Sequence, residues 1–183
     1  MVRIRTRFAA AAVVLAVVAV SAIAADNVLK VKEGDAFPVV SLTAAQIDKA
    51  KKDAKEISIA DLKGKIVVVF FYPKANTPGC TVESCGFRDL AEKFPADVVL
   101  LGASADDMKA QDKFIADHKL PYALLCDTDQ KLIKELGISS GKTPLRKTFV
   151  VGKDGKIAKI YEKVTPKDHP AEVLKFVEEL SKK

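Results

Sequence analysis

The sequence predicts an α/β fold with a central mixed sheet flanked by helices. Residues 66–71 and 98–103 are uninterrupted apolar runs, and 123–126 is a shorter one, as in parallel strands that are buried on both faces. A segment with helical spacing follows each run, and this alternation is typical of an α/β sandwich. The later elements are predicted to be helices at 106–119, 128–136 and 170–180 and a hairpin formed by 146–151 and 157–161.

The segments before the first apolar run are less regular. The extended pattern of residues 28–42, broken by Gly34 and Pro38, predicts an N-terminal hairpin. Residues 43–56 are rich in Ala, Lys and Asp, and they fit either a short helix or a weakly packed surface insertion. Residues 58–64 predict a helical turn that ends at a glycine.

The N-terminus has the pattern of a secretory signal peptide. Three arginines precede an apolar run over residues 8–20, and small residues follow it at the spacing that a signal peptidase recognises. We therefore interpret residues 1–24 as a cleaved signal and residues 25–183 as one exported domain, periplasmic or extracellular and free of the membrane after cleavage. An uncleaved membrane anchor is the alternative, but the run is shorter than the roughly 18 apolar residues that a span usually needs.

Length and composition favour a single globular domain. The chain has 183 residues, of which 49% are hydrophobic, and it shows no internal repeat. Its net charge falls from +6 to +3 once the three signal arginines are removed, and its lysines are mixed with acidic residues as on a solvated surface. These features argue against a partner that is a nucleic acid.

The junction after the first apolar run carries a cysteine at a helix start. Pro73 ends the run, and Thr77 is the predicted helix N-cap because Pro78 suits the first helical position. Cys80 then lies in the first turn, where free backbone N–H groups and the helix dipole stabilise an anion. This position therefore favours a thiolate, which is the nucleophilic form of cysteine.

A second cysteine, Cys85, follows five residues later on the same predicted helix. Ideal helix geometry puts the two Cα atoms roughly 8.7 Å apart, beyond the ~7 Å limit for a disulfide. If the two cysteines form a bridge, the helix between them has to unwind locally. Gly86 lowers the stability of the helix at this point by up to ~1 kcal/mol relative to alanine.

These residues resemble the active site of a known family. The pattern Pro73-x-x-x-Thr77-x-x-Cys80 resembles the peroxiredoxin motif, and residues 72–89 are similar to the peroxiredoxin Q branch, also called the bacterioferritin comigratory protein family. The likeness extends through most of the chain. It implies a thioredoxin-like sandwich fold, with Cys80 as the peroxidatic cysteine and Cys85 as the resolving cysteine.

The resemblance also implies roles for residues around the cysteine. Pro73 would shield the thiolate and Thr77 would contact the sulfur, although strand ending and helix capping explain the same two residues. Glu83 would orient an arginine, or would only favour the helix start through its charge. Arg146 begins an Arg-x-Thr-Phe pattern similar to a strand start of the family, so we predict that it binds the peroxide, whereas Arg88 pairs with a carboxylate.

The remaining candidate residues have structural interpretations. Cys126 matches neither cysteine role and is predicted to lie in the core at the end of a strand, with a mixed disulfide as the alternative. His118 and His169 lie in polar contexts without metal-ligand spacing, and both are predicted at the surface.

The sequence therefore predicts a thiol peroxidase without a metal or an organic cofactor. Cys80 would attack hydrogen peroxide or an organic hydroperoxide, become a sulfenic acid and form an intramolecular disulfide with Cys85. An external dithiol such as a thioredoxin would reduce this disulfide, and the protein is expected to be a monomer. Two alternatives remain open: a thioredoxin-like disulfide exchanger, for which Cys-x-x-Cys is the usual motif, and a non-catalytic exported domain with a structural disulfide between the same two cysteines.

Overall fold

The computed structural model describes residues 28–182, so the predicted signal at 1–24 lies outside the described residues. In chain order the strands are β1 (Thr43–Ala45), β2 (Ile66–Phe71), β3 (Val98–Ser104), β4 (Ala123–Cys126), β5 (Ser139–Ser140), β6 (Thr143–Pro144), β7 (Lys147–Val151) and β8 (Ile157–Tyr161). Six of them form a mixed sheet in the order β1-β4-β3-β2-β7-β8, and β5 pairs with β6 in a separate ribbon. Strands β2, β3 and β4 are parallel, and the other neighbours in the sheet are antiparallel.

Helices pack on both faces of this sheet. Their bounds are α1 (Pro78–Leu90), α2 (Met108–His118), α3 (Lys131–Leu136) and α4 (His169–Ser181). Alternate residues of β2 starting at Ile66 pack with α1, α2 and α4, whereas those starting at Val67 pack with α3 and the N-terminal loops. Because β2 is buried on both faces, its sequence is apolar at every position.

The structure confirms the predicted α/β architecture. The three apolar runs are β2, β3 and β4, and the C-terminal hairpin is β7 and β8 joined at Gly152-Lys-Asp-Gly155. Helix α1 begins directly after its N-cap Thr77, where the sequence predicted it. Within residues 28–182, none of the helices combines the length and the apolar composition needed to span a bilayer.

The predicted N-terminal hairpin is wrong. Residues 28–42 contain only isolated bridges, in which Ala36 pairs with Lys156 and Leu42 with Ile57. Nearby, the Gly34 N–H donates to the carbonyl of Ile157 at 2.8 Å, so this segment follows the β7–β8 hairpin. An extended sequence pattern indicates the backbone conformation but not the partner, which here is distant in the chain.

The short helix that was one alternative for residues 43–56 is also absent. The first three residues form β1, which pairs antiparallel with β4 and buries the small side chains of Ala44 and Ala45. Gln46 ends the strand with a left-handed φ of 53°, and a single 3₁₀ turn follows at Ile47–Lys49. Residues 51–56 are mostly exposed, as the alternative of a surface insertion predicted.

Candidate active site

The loop between β2 and α1 brings Cys80 into the first turn of α1. Asn76 in this loop has a left-handed φ of 57°, and the N–H of Ala75 donates to the Asp106 carboxylate at 2.8 Å. These contacts fix the direction in which the chain enters the helix. The Cys80 residue is 1% exposed, so its thiol is shielded from bulk water.

Thr77 and Pro73 border this loop. Thr77 is the N-cap residue, but its hydroxyl does not accept a bond from the first helical turn. The hydroxyl donates to the Lys74 carbonyl at 2.9 Å, so its proton closes the loop and is not directed at the Cys80 sulfur. Pro73 is half-buried and lies two residues after the last residue of β2, where it ends the strand.

Arg146 lies directly beside the Cys80 thiol. Its Nη2 atom donates to Cys80 Sγ at 3.1 Å, and its Nη1 atom donates to the Glu83 carboxylate. The sheet explains this placement, because Arg146 immediately precedes β7 and the first residue of β7 pairs with Phe71 at the end of β2. The structure therefore brings together three of the predicted site residues, from two distant parts of the chain.

Burial controls the electrostatics of this triad. Glu83 is 0% exposed, and burial raises the pKa of its carboxyl to about 7 against the opposing effect of Arg146. Within the described residues, its Oε1 atom has no hydrogen-bond partner. Burial acts to lower the pKa of Arg146. The hydrogen bond from Arg146 to Cys80 and the nearby Glu83 carboxylate outweigh this effect, so the pKa lies above its ordinary value. The guanidinium thus stays charged next to the sulfur.

Arg88, the other arginine outside the predicted signal, is not at the sulfur. Its guanidinium forms an ion pair with Asp89 at 2.8 Å and donates to the carbonyl of His118, also at 2.8 Å. The predicted pairing with a carboxylate is therefore found, with the adjacent residue on α1. These contacts connect the C-terminal part of α1 to the end of α2.

Cys85 lies on α1 together with Cys80. Cys85 is half-buried, and both cysteines are free thiols in this structure. Since α1 is continuous from Pro78 to Leu90, the separation of roughly 8.7 Å expected for an ideal helix applies to their Cα atoms. A disulfide between them therefore requires α1 to open.

Comparison with known proteins assigns the family. The profile of the AhpC/TSA family matches residues 33–160. Peroxiredoxin Bcp from Bacillus subtilis (strain 168) is 40% identical over an alignment of 136 residues that covers 69% of this chain and 87% of the relative. The chloroplastic peroxiredoxin Q of Suaeda salsa is 39% identical over an alignment of 161 residues that covers 85% of this chain and 72% of the relative. This chain belongs to the AhpC/TSA family, in its peroxiredoxin Q and Bcp branch.

Solved structures also resemble this peroxiredoxin. A PrxQ mutant from Xylella fastidiosa superposes with a TM-score of 0.72 at 25% identity, covering 82% of this chain and 97% of that one. Peroxidoxin BcpB from Mycobacterium tuberculosis gives a TM-score of 0.71 at 29% identity, covering 81% of this chain and 97% of that one. The thioredoxin-like fold that the resemblance implied is confirmed.

The third cysteine of this peroxiredoxin lies away from the site. Cys126 is the last residue of β4, pairs in register with Thr43 of β1 and is 6% exposed. Burial raises the pKa of its thiol to about 11, so the thiol is protonated at neutral pH. The predicted core position at a strand end is confirmed.

The surface prediction is wrong for His169, the first residue of α4. It is 0% exposed, its Nε2 atom lies 2.7 Å from Thr148 Oγ1, and its ring packs edge-on against Phe87 and Tyr161. The residues before it are polar because they form an exposed turn. The histidine itself is the first residue of α4, and its ring is buried beneath the helix. His118 is half-buried, with its ring 3.1 Å from Asn76 Oδ1.

We expect His169 to make stability fall in mild acid. Burial, with a smaller effect of Arg146, lowers its pKa to about 4 in the folded state, whereas the unfolded value is ~6.5. The unfolded state therefore binds the proton first, and the free energy of unfolding decreases by about 3 kcal/mol as pH falls from ~6.5 to ~4. The matched variant His169→Gln keeps a polar group near Thr148 but does not titrate.

Urea denaturation of both proteins at several pH values between 7 and 4 checks this. Glu83 acts in the opposite sense, because its raised pKa favours the folded state as pH falls below ~7, but it is common to both proteins. The difference between wild type and variant isolates the histidine. A difference that is constant with pH would contradict a neutral buried ring.

Two positions support the site in ways that the predictions from the sequence do not include. Asp106 holds the loop before α1, and its carboxylate also accepts from the Ser104 hydroxyl at 2.8 Å. Asp106 follows β3, and the loop before α1 follows β2. Because these two strands are parallel, their carboxyl ends lie at the same edge of the sheet, and this is a signal that could have indicated Asp106. Gly86 allows α4 to approach α1, since a Cβ there would lie 2.8 Å from Cγ of Pro170. No local pattern indicates this contact.

Proposed function

We propose that this chain is an exported peroxiredoxin that reduces peroxides through Cys80 and is regenerated through Cys85. The observation that carries the proposal is the charged Arg146 guanidinium 3.1 Å from a cysteine sulfur in the first turn of a helix. The guanidinium and the free N–H groups of that turn both stabilise a thiolate. Family membership supplies the reaction type.

In the first step the Cys80 thiolate attacks one oxygen of the peroxide. A sulfur–oxygen bond forms, the oxygen–oxygen bond breaks, and the departing oxygen takes up a proton to leave as water or an alcohol. Arg146 is placed to hold the peroxide and to stabilise the charge on the departing oxygen. Glu83 fixes the direction of the guanidinium from its buried position.

Pro73 and Thr77 complete the proposed site. Pro73 would limit the access of water to the Cys80 sulfur. This favours attack of the thiolate on peroxide over loss of the thiolate. Thr77 holds the loop through its bond to Lys74, and a rotation of its hydroxyl would direct the proton at the sulfur or a bound peroxide. Both residues therefore belong to the proposed catalytic site.

In the second step the Cys85 thiol condenses with the Cys80 sulfenic acid. A disulfide forms and one water leaves, after which an external dithiol of the thioredoxin type reduces the disulfide. The opening of α1 that this step requires is the conformational part of the cycle.

The N-terminal sequence supports the proposed exported location. The arginine-flanked apolar segment within residues 1–24 supports a secretory signal, which would place the domain of residues 25–183 in an oxidising compartment. A monomer without a nucleic-acid or membrane partner completes the proposal. Of the relatives named above, one is chloroplastic and another is from the bacterium Bacillus subtilis.

A peroxide assay separates this function from its two alternatives. Hydrogen peroxide is mixed with the protein and excess reduced thioredoxin, and both peroxide and oxidised thioredoxin are measured. We expect both to change in a 1:1 ratio. A disulfide exchanger would oxidise thioredoxin only when a disulfide substrate is added. A domain with a structural disulfide would consume no peroxide and oxidise no thioredoxin. Either result would contradict the proposal.

A further inference from the structure

Tyr122 contacts the backbone of α1 between the two reactive cysteines. Its hydroxyl donates to the carbonyl of Ser84 at 2.7 Å, and the bond is buried. Within residues 28–182, it is the one hydrogen bond from a side chain outside α1 to the backbone between Cys80 and Cys85. The mechanism described above does not use this tyrosine.

Packing against the sheet holds the Tyr122 side chain in place. It is 5% exposed, immediately precedes β4, and its ring packs edge-on against Phe70 of β2 with centroids 5.7 Å apart. Burial raises the pKa of its hydroxyl well above the ordinary value, so the hydroxyl remains a donor at any pH at which the protein works. Ser84 is also fully buried.

We expect disulfide formation to break this contact. In a disulfide the Cα atoms are usually about 4.4–6.8 Å apart, less than the roughly 8.7 Å of the intact helix. The residues between the cysteines must therefore leave the helical conformation, and we expect the Ser84 carbonyl to move with them, away from a tyrosine that is held on the sheet. The tyrosine hydroxyl is then buried without an acceptor, which makes the open state less favourable.

The next segment of α1 is held as well. Pro170 of α4 packs on Gly86, and Arg88 donates to the His118 carbonyl. Both contacts lie on the C-terminal side of Cys85, so they can persist while residues 80–85 unwind. Among residues 28–182, Tyr122 is the outside side chain that holds the backbone of residues 80–85 by a hydrogen bond, whereas Arg146 contacts only the side chains of Cys80 and Glu83.

Resting on the proposed function, we propose that the Tyr122 hydroxyl is a latch on α1 that slows disulfide closure between Cys80 and Cys85. The Cys80 sulfenic acid has two fates. It condenses with the Cys85 thiol and releases water, or a second peroxide oxidises it to the sulfinic acid and is itself reduced to water or an alcohol. By delaying the first reaction, the latch increases the fraction of enzyme that reaches the sulfinic acid at high peroxide.

The variant Tyr122→Phe tests the latch because it keeps the ring and removes only the hydroxyl. The net contribution of one hydrogen bond corresponds to about a 3- to 10-fold change in the opening equilibrium. We expect the ratio of disulfide to sulfinic acid to rise by this factor at a given peroxide concentration. The ratio is measured by peptide mass spectrometry after graded hydrogen peroxide without reductant, followed by alkylation.

Tyr72→Phe is the matched control. Tyr72 is 0% exposed, and its hydroxyl donates at 2.6 Å to Gln111 of α2, so this variant also loses one buried hydrogen bond, but not one to α1. We expect its product ratio to equal that of the wild type. Hydrogen exchange adds a second readout: the Arg88 amide, which bonds to the Ser84 carbonyl in the helix, should exchange faster in Tyr122→Phe only.

The outcomes distinguish the latch from the function on which it rests. An unchanged ratio in Tyr122→Phe, with the disulfide present, would overturn the latch and leave the two-cysteine function intact. An equal rise in both variants would also overturn it, since general loosening would explain the result. If the wild type forms no disulfide between Cys80 and Cys85, the resolving step and the latch are both wrong.

Discussion

The variant Cys80→Ser is expected to consume no peroxide. The Arg146 guanidinium contacts this sulfur, and a serine hydroxyl in its place neither ionises at neutral pH nor forms a sulfenic acid. The loss of hydrogen peroxide, followed in the presence of excess reduced dithiol, measures the effect. Turnover by the variant at a substantial fraction of the wild-type rate would show that another residue reacts with peroxide.

Cys126→Ser is the control for this experiment. Cys126 is buried at the end of β4, and burial raises the pKa of its thiol to about 11, so it presents little thiolate to a peroxide. We expect the variant to keep nearly all of the activity. A comparable loss of activity in Cys80→Ser and Cys126→Ser would indicate that the substitutions act by disturbing the core and not by removing the reactive thiol.

Arg146→Ala is expected to slow the oxidation of Cys80 by about 10²- to 10³-fold, because one preorganised donor to the departing oxygen is lost. The domain should remain folded. Glu83 loses its partner in this variant, but its raised pKa allows the buried carboxyl to bind a proton and become neutral. Stopped-flow measurement of the single oxidation step gives the rate, and circular dichroism checks the fold.

Arg88→Ala is the matched control, since Arg88 also pairs with a carboxylate on α1 but does not contact the sulfur. Its oxidation rate should change much less. Equal decreases in the two variants would mean that the cation acting on the peroxide is not Arg146.

Local sequence signals predicted the scaffold of the site. The apolar run of β2, the N-cap Thr77 and the proline after it are sufficient to place Cys80 at a helix start. Arg146 was found through a motif and not from any pattern of its own, since only the register between β2 and β7 puts it beside the sulfur. The site is therefore predictable where its geometry depends on neighbours in the chain or on a recognised motif.

The failures concern contacts between distant segments. His169 looked like a turn residue because its sequence neighbours are polar, while the residues that bury it come from α1 and β8. In the sequence, Tyr122 does not differ from an ordinary core residue, and only the contact of its hydroxyl with the Ser84 carbonyl distinguishes it. The extended pattern of 28–42 predicts a partner within the segment, although its long-range hydrogen bonds go to the β7–β8 hairpin, to Leu136 and to Ile57.

The contact between Gly86 and Pro170 limits how this protein can be stabilised by engineering. Replacing a helical glycine by alanine is a standard stabilising change that usually gains up to ~1 kcal/mol. Here the new methyl group would lie 2.8 Å from the Pro170 ring, which belongs to the helix that also carries the buried His169. The substitution would force α4 away from α1 and disturb the packing around the histidine. A design procedure guided by helix propensity alone would therefore select a harmful change at this position.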